Sequence, residues 1–314
     1  VHIWNSLEQV PQGLGPSVVA LGNFDGLHRG HQQVLGQVKA EAVRRGGLAV
    51  ALTFHPHPAL VHRPQSAPPQ IMGLADKLAA MEQQGMDGVL VAPYTLEFAR
   101  QTPEEFVRNV FVDTLGACAV VVGHDVRFGR DNAGDLATMV ALGRELGFDV
   151  VPVDDEGHDR RWSSTWVREA LAKGDVDTAA EVLGRPHSMS GEVVHGAARG
   201  RALGFPTANL SPDACGIIPA DGVYAGWLRD EHGHRWRAAI SVGSNPTFVG
   251  VSRQVEAFVI GRPEEPVEAF DLYGQRVVVE FVRRLRGMVA YTGPEALIEQ
   301  MHHDVEQSLE ILQA

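Results

Sequence analysis

The sequence predicts two domains: an α/β N-terminal domain built on a doubly wound parallel sheet, then a small antiparallel β-barrel with a terminal helix. Three observations carry this expectation. The chain has 314 residues, more than one core of roughly 100–200 residues accommodates. Its first half alternates continuous apolar runs with helical periodicity, the pattern of strands buried on both faces of a parallel sheet. Its second half turns to short, glycine-rich, partly alternating segments, the pattern of a half-exposed antiparallel sheet. The expected division is 1–185 and 186–314.

In the first domain the apolar, β-branched runs at 18–21, 48–54, 117–122 and 150–153 are the expected strands. Helices are expected over 31–45, 74–84, 103–115 and 135–146. The third of these opens with Thr102-Pro103-Glu104-Glu105: a capping hydroxyl, a proline at the first helical position and acids in the first turn. Two short helices follow at 164–171 and 176–183, and Gly184-Arg185-Pro186-His187 breaks the pattern. Beyond it, strands are expected at 191–195, 222–229, 236–242, 254–260 and 276–285, enough for a small barrel. The last helix, from about 294 to 312, carries Leu297, Ile298, Met301, Val305, Leu309 and Leu312 on one stripe, which predicts packing on the barrel.

Composition narrows the function. Apolar residues make up 44% and charged residues 21%, as in ordinary soluble globular proteins. A net charge of −12 argues against nucleic acid or an anionic membrane as partner, and leaves small phosphates open through a local pocket. No apolar run reaches the roughly 18 residues of a membrane span. The start, Val1-His2-Ile3-Trp4-Asn5, lacks the charged-then-apolar pattern of a secretion signal, so a cytoplasmic location is expected. Cys118 and Cys215 are far apart without metal spacing and are expected as reduced thiols. His55, His57 and His62 make no zinc site, because Pro56 and Pro58 forbid helical spacing and no acid or cysteine completes a ligand set. Association with further copies of the chain stays open.

The segment Gly22-Asn23-Phe24-Asp25-Gly26-Leu27-His28-Arg29-Gly30-His31 follows the first strand and opens the first helix. Parallel α/β folds place ligands at the C-terminal ends of strands. The helix start adds free N–H groups and a positive dipole end, both suited to phosphate. His28 and His31, three apart, share the first turn and both can donate to phosphate oxygens. Nucleotidyl transfer needs such donors and a metal such as Mg²⁺ more than a protein nucleophile, because the acceptor phosphate attacks directly. A second element, Arg161-Trp162-Ser163-Ser164-Thr165-Trp166-Val167-Arg168, sets hydroxyls and arginines at a helix start, either as an anion site or as an ordinary cap. Phe54, in Thr53-Phe54-His55-Pro56-His57-Pro58, and Phe128, in 122–129, either face a flat ligand or pack in the core.

The 191–210 stretch runs from a strand into a loop punctuated by Gly196, Gly200 and Gly204, with Arg199 and Arg201, and ends in Pro206-Thr207-Ala208-Asn209. The glycines permit close backbone approach and a phosphate cradle. Thr207 and Asn209 alternate on an extended segment, so their oxygens share a face suited to Mg²⁺. No Walker loop is present, and the glycine spacing is not that of a dinucleotide fold. Glu256, read alone, is either a surface strand acid or a base.

His-x-Gly-His after Gly-x-Phe-Asp-Gly resembles the HxGH nucleotidyltransferases, in their FAD synthetase branch. The resemblance implies that Gly22, Phe24, Asp25, Gly26, His28, His31, Ser163, Ser164, Thr165 and Arg168 bind ATP, with His28, His31 and Arg161 acting in catalysis. It implies that Phe54, Pro56, Pro58, Asp125 and Phe128 meet the flavin. Val126 stands where the branch usually has Phe. The 191–210 stretch resembles the riboflavin kinase signature, as do Gly222-Val223-Tyr224, 241–248 and Asp271-Leu272-Tyr273-Gly274. This implies that Gly196, Gly200, Arg201, Gly204, Thr207 and Asn209 bind ATP and Mg²⁺. It implies Glu256 as catalytic acid–base group, preferred over Glu268, with Arg286 beside the flavin. Met288 and Tyr291 depart from the acid and Phe usual near the end. The two resemblances together cover nearly the whole chain. They imply a bifunctional enzyme that turns riboflavin and ATP into FMN, and FMN and a second ATP into FAD and pyrophosphate. A nucleotidyltransferase for another acceptor, or a non-catalytic flavin-binding regulator, are the alternatives.

Overall fold

The structure, a computed structural model, describes residues 1–154, 157, 160–196, 205–243, 253–261, 271–291 and 293–313. The chain divides into two compact units, Val1–Pro68 with Leu74–Ser163, and Pro69–Gly73 with Ser164–Ala314.

The first unit is a parallel sheet of β1 (His2–Trp4), β2 (Ser17–Leu21), β3 (Leu48–His55), β4 (Gly88–Pro93), β5 (Ala117–Gly123) and β6 (Asp149–Val153). Its order is β1-β4-β3-β2-β5-β6, all pairs parallel. Val18, Val19, Ala20, Val50, Ala51, Leu52, Val120, Val121 and Val122 are fully buried, as expected of strands covered on both faces. The helices are α1 (Arg29–Arg45), α2 (Pro58–His62), α3 (Leu74–Gln83), α4 (Pro103–Phe106) and α5 (Leu136–Leu146). Strand order reverses between β2 and β5, since β3 and β4 lie on one side of β2 while β6 lies beyond β5. Such a switch point opens a crevice at the strands' C-terminal ends.

The sequence reading passes over β1, a three-residue edge strand, and β4, whose apolar Gly88-Val89-Leu90-Val91-Ala92-Pro93 stands between glycine and proline. The helix expected over 103–115 starts with a capping box. Thr102 Oγ1 accepts from the Glu105 amide at 3.2 Å, and Glu105 Oε2 accepts from the Thr102 amide at 2.8 Å. From Val107 to Thr114 it continues as a π-helix, a change that periodicity does not announce.

The second unit holds α6 (Ser164–Lys173), α7 (Val176–Leu183) and a closed barrel of β7 (His187–Val194), β8 (Thr207–Leu210), β9 (Gly222–Arg229), β10 (Arg235–Gly243), β11 (Gln254–Val259) and β12 (Arg276–Arg286), in the order β10-β11-β8-β7-β12-β9. The terminal helix, α8 (Pro294–Ile311), contacts β9, β10 and β12. Alternating burial along β10, β11 and β12 is the one-face-in pattern of such a barrel. His187, read from sequence as part of the break after α7, is instead the first residue of β7.

His187 is also a buried titratable group of the barrel wall. It is 1% exposed, stacks on Phe281, and its Nε2 donates to the Ile217 carbonyl at 2.7 Å. Burial holds its pKa down at about 4, with Arg185 adding to the effect and the Ile217 bond opposing it. In the unfolded chain the imidazole titrates near about 6.5. Between these values the unfolded chain binds more protons, so stability falls with falling pH. The second unit is expected to keep its full stability above about pH 6.5 and to lose about 3 kcal/mol by about pH 4 through this group. Urea midpoints measured across that range check this. His187→Gln, which retains a donor for Ile217, is expected to flatten the slope, and an unchanged slope would refute the attribution.

Candidate active sites

In the first unit a cavity of about 500 Å³ opens at the switch point. The loop after β2 supplies Gly22, Asn23, Phe24, His28 and His31, and the loop after β5 supplies Gly123, Asp125, Val126 and Arg127. Phe54, Asp154, Arg161, Trp162 and Ser163 complete much of the wall. The loop after β2 is held in an uncommon shape, with Phe24, Gly26 and Leu27 at φ 50, 81 and 42°. Phe24 and Leu27 are each 1% exposed, so burial over-determines a conformation that costs side-chain-bearing residues about 1 kcal/mol or more.

His28 is the N-cap of α1, its Nδ1 accepting from the His31 amide at 3.4 Å. Neutral His28 therefore carries its proton on Nε2. Its ring stacks on His31 with centroids 3.6 Å apart. A Cβ on Gly30 would stand 3.3 Å from the His28 ring, so glycine keeps that ring's place open. Burial, and then the charges of His28, Lys77 and Arg161, push the His31 pKa well below its ordinary value. Its Nδ1 is buried with no hydrogen-bond partner. The cavity thus presents a neutral imidazole beside a helix N-terminus, where an arriving phosphate finds hydrogen-bond donors, with Arg127, Arg160 and Arg161 offsetting the carboxylates of Asp125 and Asp154. Arg161 pairs with Asp125 across the mouth at 2.9 Å. Arg29 lies over the Trp162 ring at 5.7 Å, which gives that tryptophan a packing role.

Phe54 lines the cavity and meets Tyr94 and Phe98 edge-on at 5.4 and 5.9 Å. Those two rings follow β4 and were not anticipated, because β4 itself was missed. Phe128 goes the other way. It is 5% exposed and packed in the core with its ring centroid 6.0 Å from that of Phe106, whereas Asp125, Val126 and Arg127 of the same run line the cavity. Pro56 and Pro58 are not lining residues, and Pro58 is the first residue of α2. Asp25 is buried beneath the loop at 3% exposed. Ser164, Thr165 and Arg168 belong to the second unit, on α6, where Arg168 Nε donates to the Pro69 carbonyl at 2.9 Å.

In the second unit a cavity of about 680 Å³ lies among β8 to β12 and α8. Glu256 on β11 stands opposite Asn209 on β8, and Thr207 faces Phe258. Thr207 Oγ1 donates to Glu256 Oε2 at 3.3 Å, and Asn209 Nδ2 donates to Thr207 Oγ1 at 3.3 Å. A Cβ on Gly196 would come within 2.4 Å of Asn209 Oδ1, so a larger residue there would displace the Asn209 amide. The amide nitrogen of Asn209 is spent on Thr207, which leaves hard oxygens of Thr207 and Asn209 beside a carboxylate. That donor set suits Mg²⁺, which takes few protein oxygens and keeps phosphate and water as its other ligands. Gly200, Arg201, Gly204 and the rival acid Glu268 lie outside the described residues.

The rest of this cavity is apolar, lined by Val223, Phe258, Leu297, Met301 and Val305 among others. The stripe on α8 therefore both packs on the barrel and walls the cavity. Register shifts in β12 against β9 occur just before Arg286, and bulges of this kind re-aim side chains. Arg286 makes a bidentate pair with Asp304 of α8, Nε–Oδ1 2.9 Å and Nη2–Oδ2 2.6 Å. That bond raises the Arg286 pKa. Asp304, 4% exposed, also accepts from Gln300 at 3.0 Å and was not anticipated from sequence. Met288 lines the mouth near Gly243. Asp304→Ala is expected to destabilise the second unit by about 1–3 kcal/mol, because it strands a largely buried guanidinium. A urea midpoint unchanged from the parent would show that the pair contributes nothing.

No helix among the described residues is long and apolar enough to cross a membrane. The FAD synthetase family matches residues 11–166 and the riboflavin kinase family residues 183–312. A bifunctional riboflavin kinase/FMN adenylyltransferase of Bacillus subtilis is 33% identical over 98% of this chain and 96% of its own. The Escherichia coli K12 protein of the same description is 33% identical, over 96% of this chain and 93% of its own. That of Pseudomonas fluorescens is 35% identical over 92% and 90%. Among solved structures, a Streptococcus pneumoniae chain described as a macrolide-efflux protein matches with a TM-score of 0.87 and 29% identity, over 98% of this chain and 97% of that one.

Proposed function

The chain belongs to the family of bifunctional riboflavin kinase/FMN adenylyltransferases, and from that premise we propose how its two cavities divide the work. The enzyme phosphorylates riboflavin to FMN with ATP, then adenylylates FMN to FAD with a second ATP, releasing pyrophosphate. The observation that carries the division is the separation of two chemistries. The first unit offers a helix N-terminus with paired imidazoles, and the second a carboxylate with hard oxygens at the edge of an apolar cavity.

In the barrel, Glu256 takes the proton of the ribityl hydroxyl as that oxygen attacks the γ-phosphorus of ATP, whose bond to the β,γ-bridging oxygen breaks to release ADP. The bond from Thr207 orients the carboxylate. The apolar walls receive the ring system, and Arg286, fixed by Asp304, presents its guanidinium beside it. Thr207 and Asn209 would hold Mg²⁺, which when bound neutralises charge on the phosphates.

In the first unit the FMN phosphate attacks the α-phosphorus of ATP and pyrophosphate leaves. The α1 N-terminus, His28 Nε2, His31 and Arg161 donate to the phosphate oxygens on which charge develops. Phe54, Tyr94 and Val126 are assigned to the flavin side. The functional modules are assigned to 1–185 and 186–314, in the cytoplasm. The direct test is incubation of the full chain with riboflavin and Mg-ATP, with FMN and FAD resolved by chromatography over time. FMN rising before FAD supports the reading. Absence of either product, in the FMN-fed arm as well, would overturn the corresponding half.

A further inference from the structure

Beneath the loop after β2 lies a cation that the chemistry above leaves unused. Lys77 stands on α3 and is only 7% exposed. Its Nζ donates to the Asn23 carbonyl at 2.8 Å. Thr53 Oγ1, on β3, donates to the same oxygen at 3.2 Å. Burial pushes the Lys77 pKa down, while the buried Asp25 carboxylate favours its charged form. Burying an ammonium costs several kcal/mol (~) even when partners compensate, and an ordinary helix position avoids this by turning outward.

The geometry of the peptide unit says what the contact does. Across a trans peptide, the carbonyl of residue 23 and the N–H of residue 24 point in opposite directions. Drawing the Asn23 oxygen onto Lys77 and Thr53 turns the Phe24 amide away from them. Asn23 and Phe24 line the cavity, whereas Lys77 and Thr53 do not. Phe24 is also the residue held at φ 50°, a conformation that needs external support. We infer that Lys77 is a positioning residue for adenylyl transfer: by clamping the Asn23–Phe24 peptide, it aims the Phe24 amide at the triphosphate of ATP. This rests on the reading of the first cavity as the adenylylation site.

The test is steady-state kinetics of the full chain with FMN and Mg-ATP. Riboflavin phosphorylation serves as an internal control. Lys77→Met is expected to raise KM for ATP by at least about fivefold and lower kcat/KM by at least about tenfold, with KM for FMN and the kinase reaction unchanged. Lys77→Arg, which keeps a charged donor, is expected to recover most of the loss. A merely structural role lowers the active fraction and hence kcat, but moves no KM. KM for ATP within about twofold of the parent, or Lys77→Arg no better than Lys77→Met, overturns the inference. If Lys77→Met does not yield a folded first unit, Thr53→Val decides. It removes the second donor at nearly constant volume, and an unchanged KM for ATP there overturns the clamp. His28→Ala separates the two readings. If adenylylation survives it, the site assignment fails. If adenylylation is lost there while Lys77→Met behaves as the parent, only the clamp fails.

Discussion

Glu256→Gln is expected to lower FMN formation by about 10²–10⁴-fold while conversion of FMN to FAD proceeds at the parent rate. The substitution keeps the size of the side chain and an oxygen that can accept from Thr207 Oγ1, whose bond to Glu256 is 3.3 Å long. It removes the negative charge and, with it, the capacity to take a proton. Glu256 pairs with Asn209 across β8 and β11, within a wall whose Ala257 and Val259 are buried, so the change leaves the barrel's packing alone. The loss belongs to kcat, because the apolar walls and Arg286 still bind riboflavin. Supplying riboflavin or FMN to the same preparation separates the two reactions. Kinase turnover within about tenfold of the parent would remove Glu256 from the role of base.

Much of this barrel site was legible because its parts are local. Thr207 and Asn209 are two residues apart, so an extended chain alone places them on one face. Gly196 is legible as a glycine, but its reason, the Asn209 amide where a Cβ would stand, is a contact across the sheet. Asp304 was invisible for a plainer cause. Periodicity finds the apolar stripe of α8 and assigns the acids between its members to solvent. Only the fold brings Arg286 within reach and turns one of those acids into a buried partner.

The first unit shows the same division more sharply. The apolar runs revealed four of its six strands, and the motif after β2 was placed at the correct end of the sheet. The aromatic residues around the cavity were less legible. Phe128 and Phe54 look alike in sequence, each an aromatic following a strand, yet one is spent in the core and the other lines the cavity. What separates them is Phe106 of α4, whose ring meets that of Phe128. Missing β4 hid Tyr94 and Phe98 as well. Lys77 reads as a surface lysine in an amphipathic helix, and nothing near it in sequence records the Asn23 carbonyl that it caps.

His28→Ala is expected to lower FMN adenylylation by about 10²–10³-fold and to leave riboflavin phosphorylation intact. The side chain does two things, and they are separable. As N-cap of α1 it accepts from the His31 amide, a contact worth about 1 kcal/mol of stability. As an imidazole protonated on Nε2, it donates to the phosphates during transfer. Alanine removes both, whereas His28→Asn restores a capping acceptor without the ring. The asparagine variant is therefore expected to unfold with the parent's midpoint yet remain as inactive as the alanine variant. Recovery of adenylylation in His28→Asn would make the cap, and not the ring, the functional contribution. Burial keeps His31 neutral, and its ring stacks on His28 at 3.6 Å, so losing His28 also removes the packing that orients the second imidazole. The pair then behaves as one unit. Combining His28→Ala with His31→Ala is expected to cost little more than either change alone, and full additivity of the two losses would show two independent donors instead.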